Sequence, residues 1–223
     1  RPAHRVLTPR VGVGRPEERV LNQAHQGRRV EDLAGDRTHW TRGQVDARGK
    51  ALAQEARRLT EELETDDPDE LIEVRERVRD LVDRVQRSGS KQLEQFCRSL
   101  HGLRRMFPET QLALEPGYSF NDLLNYEAMQ WVLDDLDRDE VGYWHDTGHL
   151  HARQRAGLPG QGPWLDAFAS KLKGVHLSDA TKQEEGLPPG MGEVDFKLVA
   201  EYLPDASARV VEADPTHGRP EIL

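Results

Sequence analysis

Apolar residues recur at spacings of three and four in the first half of the chain, a pattern that predicts amphipathic helices. One predicted helix covers residues 46–64, and its apolar face consists of Leu52, Ala56, Leu59 and Leu63. A second begins after Asp67, which can cap it with Pro68 at the first position, and ends at 88–90. A third covers residues 92–106. The outer faces of these helices are strongly charged.

The second half alternates short apolar runs with helical stretches. Strands are predicted at residues 111–115, 141–146, 173–177 and 209–212. Helices are predicted between them at residues 121–136, 163–172 and 195–203. Such alternation indicates βα units and a parallel sheet. One more short strand is predicted at residues 5–8, and residues 15–45 are interpreted as loop or a weakly ordered segment.

The length and composition limit the class of protein. A chain of 223 residues with 36% hydrophobic residues is large enough for one domain with a core, or for two small domains. No run approaches the ~18 apolar residues of a membrane span, and no signal peptide is visible. We therefore expect a cytoplasmic protein without a membrane partner. Cys97, the one cysteine, excludes an internal disulfide and a cysteine-rich zinc module.

The net charge of −9 is unevenly placed. Residues 1–110 hold 22 basic and 20 acidic residues, whereas residues 111–223 hold 9 and 20. An acidic half repels phosphate backbones, so we expect no nucleic-acid partner. The excess of carboxylates suits a cation site, and the alternative is ordinary surface charge.

A residue that can ligate a metal stands at the end of each of the four strands in the second half. These residues are Glu115, Asp146, His176 and Glu212. The carboxyl ends of parallel strands in α/β folds converge on one site. Carboxylates together with an imidazole suit a divalent cation such as Mn²⁺, Mg²⁺, Co²⁺ or Zn²⁺. The pattern therefore predicts a site for one divalent ion.

Two loops add to this constellation. In the stretch 145–149, we expect Gly148 to adopt an unusual backbone angle that turns His149 back towards the same mouth. The alternative is a polar loop in which Asp146 only caps a helix. The flanking His145 and His151 are interpreted as loop residues.

The second loop covers residues 187–196 and combines a Pro-Pro turn with two glycines. Asp195 can cap the helix that follows. The loop is interpreted as a lid or a substrate wall, with a structural turn as the alternative.

Five stretches resemble the xylose isomerase-like TIM-barrel superfamily, in particular its sugar phosphate isomerase/epimerase group. They are residues 112–116, 144–149, 174–179, 188–196 and 210–212. The resemblance covers about residues 111–214 and implies a single α/β domain of the (β/α)8 TIM-barrel type. About five of the eight strands of such a barrel are recognisable. Residues 15–110 are interpreted as mostly loop and a charged helical region that forms an enlarged crossover. Either the chain is a fragment, or the barrel is incomplete, or another chain completes it.

The resemblance also implies roles for the site residues. Glu115, Asp146, His176 and Glu212 match the four ligands of one divalent metal, and His149 matches a histidine that contacts substrate. Glu115 and Glu212 match the pair that moves a proton through an enediolate in isomerases and epimerases of a sugar, sugar phosphate or keto acid. The superfamily also contains DNA-repair endonucleases with three zinc ions. Their additional Asp-x-His pair is missing at residues 184–187, so a trinuclear site is not expected.

Two alternatives to an isomerase stay open at this point. The partial barrel could bind a metal or small ligand without catalysis while its helical region docks a partner. A dehydratase or lyase could use the same metal site. Homo-oligomerisation is also left open.

Overall fold

The computed structural model describes residues 42–136 and 141–214, with side chains described from residue 49 onward. The strand predicted at residues 5–8 and most of the loop predicted at 15–45 lie outside this part of the chain. Residues 42–45, at the end of that predicted loop, are helical instead.

Three helices open the described chain: α1 (Arg42–Glu62), α2 (Pro68–Ser88) and α3 (Ser90–Met106). The Asp67 side chain caps α2 as predicted, because its Oδ1 accepts hydrogen bonds from the backbone N–H groups of Asp69 and Glu70. Pro68 stands at the first helical position, where no backbone N–H is needed.

The apolar faces of α1 and α2 form one buried cluster. Its members from the two helices and the turn between them are Ala56, Leu59, Leu63, Val74, Val78, Leu81, Val82 and Val85. Phe120 and Ala156, from the second half of the chain, belong to the same cluster. The first two helices are therefore packed onto the α/β part of the molecule rather than standing apart from it.

A parallel sheet of four strands forms the centre of the second half. The strands are β1 (Leu112–Leu114), β2 (Val141–Asp146), β3 (Leu172–Leu177) and β4 (Ala208–Val211). They lie side by side in chain order, and each neighbouring pair is parallel. Parallel strands in sequence order with helical crossovers are the arrangement of a (β/α)8 barrel segment. The prediction of an α/β fold of this type is confirmed.

Four helices accompany the sheet: α4 (Tyr126–Asp135), α5 (Thr147–Arg155), α6 (Gln161–Phe168) and α7 (Phe196–Tyr202). The helix α5 is not predicted from the sequence, and two of the other predicted boundaries differ by four or five residues. The helix predicted from residue 121 begins at Tyr126, because Asn125 caps it through a bond from the Ala128 N–H. The helix predicted to reach residue 172 ends at Phe168, and a 3₁₀ turn leads to Leu172, the first residue of β3.

The main core lies between these helices and one face of the sheet. Tyr143, Trp164 and Phe168 are its largest aromatic members, and the Tyr143 and Phe168 rings are 5.2 Å apart. Side chains alternate between the two faces of a strand. Tyr143 and His145 of β2 therefore face the buried side, and Trp144 and Asp146 face the opposite side, where the site is built.

Candidate metal centre

The structure brings the four predicted ligands together. One ligand atom from each of Glu115, Asp146, His176 and Glu212 lies within 4.8 Å of all the others. His176 Nδ1 is 3.1 Å from Glu115 Oε1, 3.5 Å from Asp146 Oδ2 and 3.1 Å from Glu212 Oε2. Asp146 is buried, Glu115 and His176 are half-buried, and Glu212 is exposed.

This donor set fits a divalent cation. Ligands held about 2.0–2.2 Å from a metal are separated from each other by roughly 3 Å along an octahedral edge. The separations around His176 Nδ1 are of that size. Within the described residues, no Lys or Arg forms an ion pair with the three carboxylates. Mutually repelling carboxylates at this spacing favour a shared cation.

The electrostatics of the cluster show the same preference for positive charge. Burial alone would lower the pKa of His176, but hydrogen bonds and charge from Asp146, Glu115 and Glu212 raise it to about 10. Burial alone would raise the pKa of Asp146, yet the bond to His176 and the contacts with His149 hold it below its ordinary value.

Asp146 uses its two carboxylate oxygens for different purposes. Oδ2 faces His176, while Oδ1 accepts a 2.8 Å hydrogen bond from the His149 N–H and so caps α5. Asp146 is therefore both a member of the cluster and the cap of α5, two roles that the sequence alone leaves as alternatives.

The expectation for Gly148 is wrong. The described glycines with positive φ are Gly157, Gly186 and Gly190. A Cβ at residue 148 would instead lie 2.4 Å from Ser178 Oγ. Glycine at this position leaves room for the Ser178 side chain where the first turn of α5 approaches the end of β3.

Thr147 links the same two elements. Its Oγ1 donates to the Ser178 carbonyl at 2.6 Å and accepts from the Ser178 N–H at 3.0 Å. Because Thr147 follows Asp146 and Ser178 lies two residues after His176, this contact sets the inner pair of cluster residues side by side. Sequence reasoning did not find it.

His149 lies at the edge of the cluster. Its Nδ1 is 3.0 Å from the Pro116 carbonyl and 3.8 Å from both Glu115 Oε1 and Asp146 Oδ2. Since only a protonated Nδ1 can bond to a carbonyl, Nε2 is the nitrogen left for another partner. The Tyr118 ring packs edge-on against the imidazole, with centroids 5.9 Å apart. The role of His149 as a substrate contact stays a prediction.

The interpretation of His145 as a loop residue is wrong. His145 is a fully buried member of β2. Gln161 Nε2 donates to the Thr147 carbonyl, so Gln161 Oε1 accepts from His145 Nε2 at 2.6 Å. His145 Nδ1 then accepts from the Tyr143 hydroxyl at 3.0 Å. Burial lowers the pKa of His145 to about 4, which keeps the ring neutral. This chain of bonds supports the backbone beside Asp146. His151 likewise lies in α5 and not in a loop.

Asp179 is a buried carboxylate that sequence reasoning missed; it organises the loop after β3. Its Oδ1 accepts from the Ala180 and Val194 N–H groups, and its Oδ2 accepts from Gly190 and Gly192, all at 2.8–2.9 Å. These bonds tie the loop 187–196 to the end of β3. These bonds argue against a moving lid, and the choice between a substrate wall and a structural turn stays a prediction. In the sequence, Gly190 and Gly192 are the feature that indicates backbone N–H groups close to a buried acceptor. Separately, Asp195 caps α7 as predicted.

A parallel sheet with acids and a histidine converging at the carboxyl ends of its strands defines an α/β barrel protein with a candidate metal centre. A family model described as xylose isomerase-like TIM barrel matches residues 36–209. Because the match covers most of the chain, this protein belongs to that family. The match starts well before the stretches that carried the resemblance and includes α1–α3. The comparisons found no matching curated protein and no matching solved structure. Within the described residues, no helix is long and apolar enough to cross a membrane.

Proposed function

We propose that this chain is a divalent-metal-dependent isomerase or epimerase of a sugar, sugar phosphate or keto acid. The observation that carries the proposal is the convergence of Glu115, Asp146, His176 and Glu212 at one edge of the sheet. The xylose isomerase-like family, which includes sugar isomerases and epimerases, supports the same class of reaction. The division of a single partial barrel domain into a loop and charged helical region at 15–110 and a metal-site half at 111–214 stays a prediction.

The strand order supports different roles for the four side chains. Asp146 and His176 lie on the two inner strands, whereas Glu115 and Glu212 follow the two outer strands. A bound divalent ion would stabilise the negative charge that develops on a substrate oxygen when a neighbouring C–H loses its proton. The two glutamates flank that position.

Glu115 and Glu212 are therefore the proposed acid–base pair. One of them, ionised, takes the proton from the substrate carbon, and the other, protonated, gives a proton to the same or the adjacent carbon. His149, with Nε2 unbonded to Pro116, is the proposed contact for a substrate hydroxyl or carbonyl oxygen. Small-molecule sugars and keto acids are the proposed partners of this site.

Metal titration is the first test. We expect purified chain to bind one Mn²⁺ per molecule in calorimetry, and His176→Asn to abolish this binding because His176 contacts all three carboxylates. Glu201→Gln, which changes an exposed acid on α7, is the matched control and should bind normally. Wild-type protein that binds no divalent ion would contradict the proposal.

Proton transfer is the second test. In D₂O, we expect NMR to show deuterium entering ketoses or keto acids at the carbon next to the carbonyl, and Glu212→Gln to abolish this exchange. Exchange retained in Glu212→Gln would exclude the two-glutamate mechanism. The same spectra distinguish isomerisation from the loss of water that a dehydratase would catalyse.

A further inference from the structure

We propose that Arg153 is a positioning residue that holds Glu115 in the metal centre. The inference rests on the proposed function of that centre. Arg153 lies in α5, and only 2% of its surface is exposed. It is not one of the predicted site residues and does not touch the cluster itself.

The Arg153 guanidinium binds the chain segment that follows Glu115. Its Nε donates to the Gly117 carbonyl at 2.8 Å, and its Nη2 donates to the Ser119 carbonyl at 3.0 Å. One helical turn earlier, His149 bonds to the Pro116 carbonyl. One face of α5 therefore holds three of the four carbonyls of residues 116–119.

Glu115 depends on this support because the sheet does not reach it. β1 has three residues, and its pairing with β2 ends at Leu114 and Tyr143. Glu115 stands one position beyond that ladder, at the start of a segment without regular structure that lasts until α4. The clamp from α5 supplies the constraint that strand pairing provides elsewhere.

The chemistry of Arg153 matches this task. A planar guanidinium presents donors in a rigid fork, which fixes two carbonyl oxygens relative to each other. The nearest carboxylate, Asp122 Oδ2, is 3.9 Å from Nη2. A buried cation with one distant acid gains little stability from its charge. Arg153 acts through the geometry it imposes on residues 117–119, and α5 links that geometry to the cluster because its N-cap is Asp146, a second cluster member.

Arg155 provides a matched control on the same helix. Its Nη1 also donates to two backbone carbonyls, those of Thr181 and Lys182, at 2.9 and 2.8 Å. These acceptors lie in the loop after β3, downstream of His176, and no cluster residue lies in that loop. Arg153 and Arg155 thus share residue type, helix and type of acceptor, and they differ in the segment they hold and in burial, since Arg155 is half-buried.

The test is a double-mutant cycle with Mn²⁺ as the probe. We expect Arg153→Lys to weaken Mn²⁺ binding in calorimetry by about 10-fold, as loss of an outer contact to a ligand typically does. Arg155→Lys should change the affinity by less than about twofold. In the Glu115→Gln background, Arg153→Lys should have no further effect, since both changes act through the same carboxylate. The Co²⁺ absorption spectrum of Arg153→Lys should resemble that of Glu115→Gln.

Thermal melting checks that each variant folds, and Arg153→Met, which removes the buried charge, serves if the lysine variant does not fold. Unchanged Mn²⁺ affinity in Arg153→Lys, or an undiminished loss in the Glu115→Gln background, overturns the role of Arg153 alone. Unfolding of both variants would assign Arg153 to the fold in general and overturns it too. A wild-type chain that binds no Mn²⁺ overturns the metal centre together with this inference.

Discussion

Asp146, the last residue of β2, and Asp179, two residues after β3, are both buried aspartates, yet they face different partners. Asp146 directs one oxygen to the His176 imidazole, whereas Asp179 directs both oxygens to backbone N–H groups. In the sequence the two residues look alike. The N–H donors of Asp179 come from residues up to 15 positions away, and their approach depends on a loop shape that local patterns do not encode.

Replacing Asp179 should destabilise the loop. In Asp179→Asn, the new NH₂ group would face two N–H donors in place of an acceptor. We expect a loss of about 1–3 kcal/mol in the free energy of unfolding, the usual cost of leaving buried donors unpaired. Urea denaturation at neutral pH measures it, with Asp205→Asn, at an exposed position, as the control that should change little.

The stability difference between wild type and Asp179→Asn should also depend on pH. Burial alone would raise the pKa of Asp179, but the four N–H donors hold it below its ordinary value. A carboxyl whose pKa is lower in the folded state stabilises the protein above the unfolded pKa of about 3.9 and loses that effect as pH falls further. The stability difference between wild type and Asp179→Asn should therefore shrink below about pH 4. A difference that stays constant down to pH 2 would contradict this assignment.

At the scale of elements, β2 and β3 are fitted to each other at Trp144 and Gly174. These residues are paired in the sheet, and a Cβ at residue 174 would lie 2.3 Å from the indole ring. The same indole packs edge-on against His176, with ring centroids 5.0 Å apart. Glycine in β3 thus makes room for a ring that supports the cluster histidine.

Gly174→Ala should therefore displace Trp144 and disturb His176. We expect a loss of about 1–3 kcal/mol in stability from overpacking and weaker Mn²⁺ binding. Gly102→Ala in α3 is the matched control, because its Cβ meets nothing within 4 Å. That change should stabilise the helix by roughly 0.5–1 kcal/mol and leave Mn²⁺ affinity unchanged. Equal melting temperatures of the two variants would refute the fit between Trp144 and Gly174.

The elements also show how far the sequence could predict the site. Strand ends follow from the apolar runs, and parallel strands place their carboxyl ends together, so the four cluster residues were predictable. The contacts that orient them were not. Thr147 with Ser178, and Arg153 with Gly117, join residues about 30 positions apart. Such pairs depend on strand register and helix rotation, which the periodicity of one segment does not determine.

At the scale of the whole molecule, the first helices and the candidate metal centre are parts of one packed structure. Lys182, in the loop after β3, donates to the Thr65 carbonyl at 3.1 Å and pairs with Asp66 between α1 and α2. The family match from residue 36 agrees with this packing. The excess negative charge lies in residues 111–223, the half of the chain that contains the four cluster residues.

Metal binding should therefore stabilise the described helices and sheet together. With free Mn²⁺ at 100 times its dissociation constant, linkage predicts a gain of about 2.7 kcal/mol in the free energy of unfolding. Urea denaturation with Mn²⁺ or with EDTA measures this gain, and the value should agree with the affinity from calorimetry. Glu201→Gln should show the full gain and His176→Asn none. Identical unfolding curves with and without Mn²⁺ would contradict a folded-state site.

The divided carboxylate of Asp146 has a consequence for backbone dynamics. One oxygen restrains the His149 amide while the other faces the cation site, so ion capture and opening of the first turn of α5 draw on a single rigid group. Metal occupancy should then change the rates of amide hydrogen–deuterium exchange. On addition of Mn²⁺, exchange of the His149 N–H should slow, whereas the exchange rates of amides at the far end of α5 should not change.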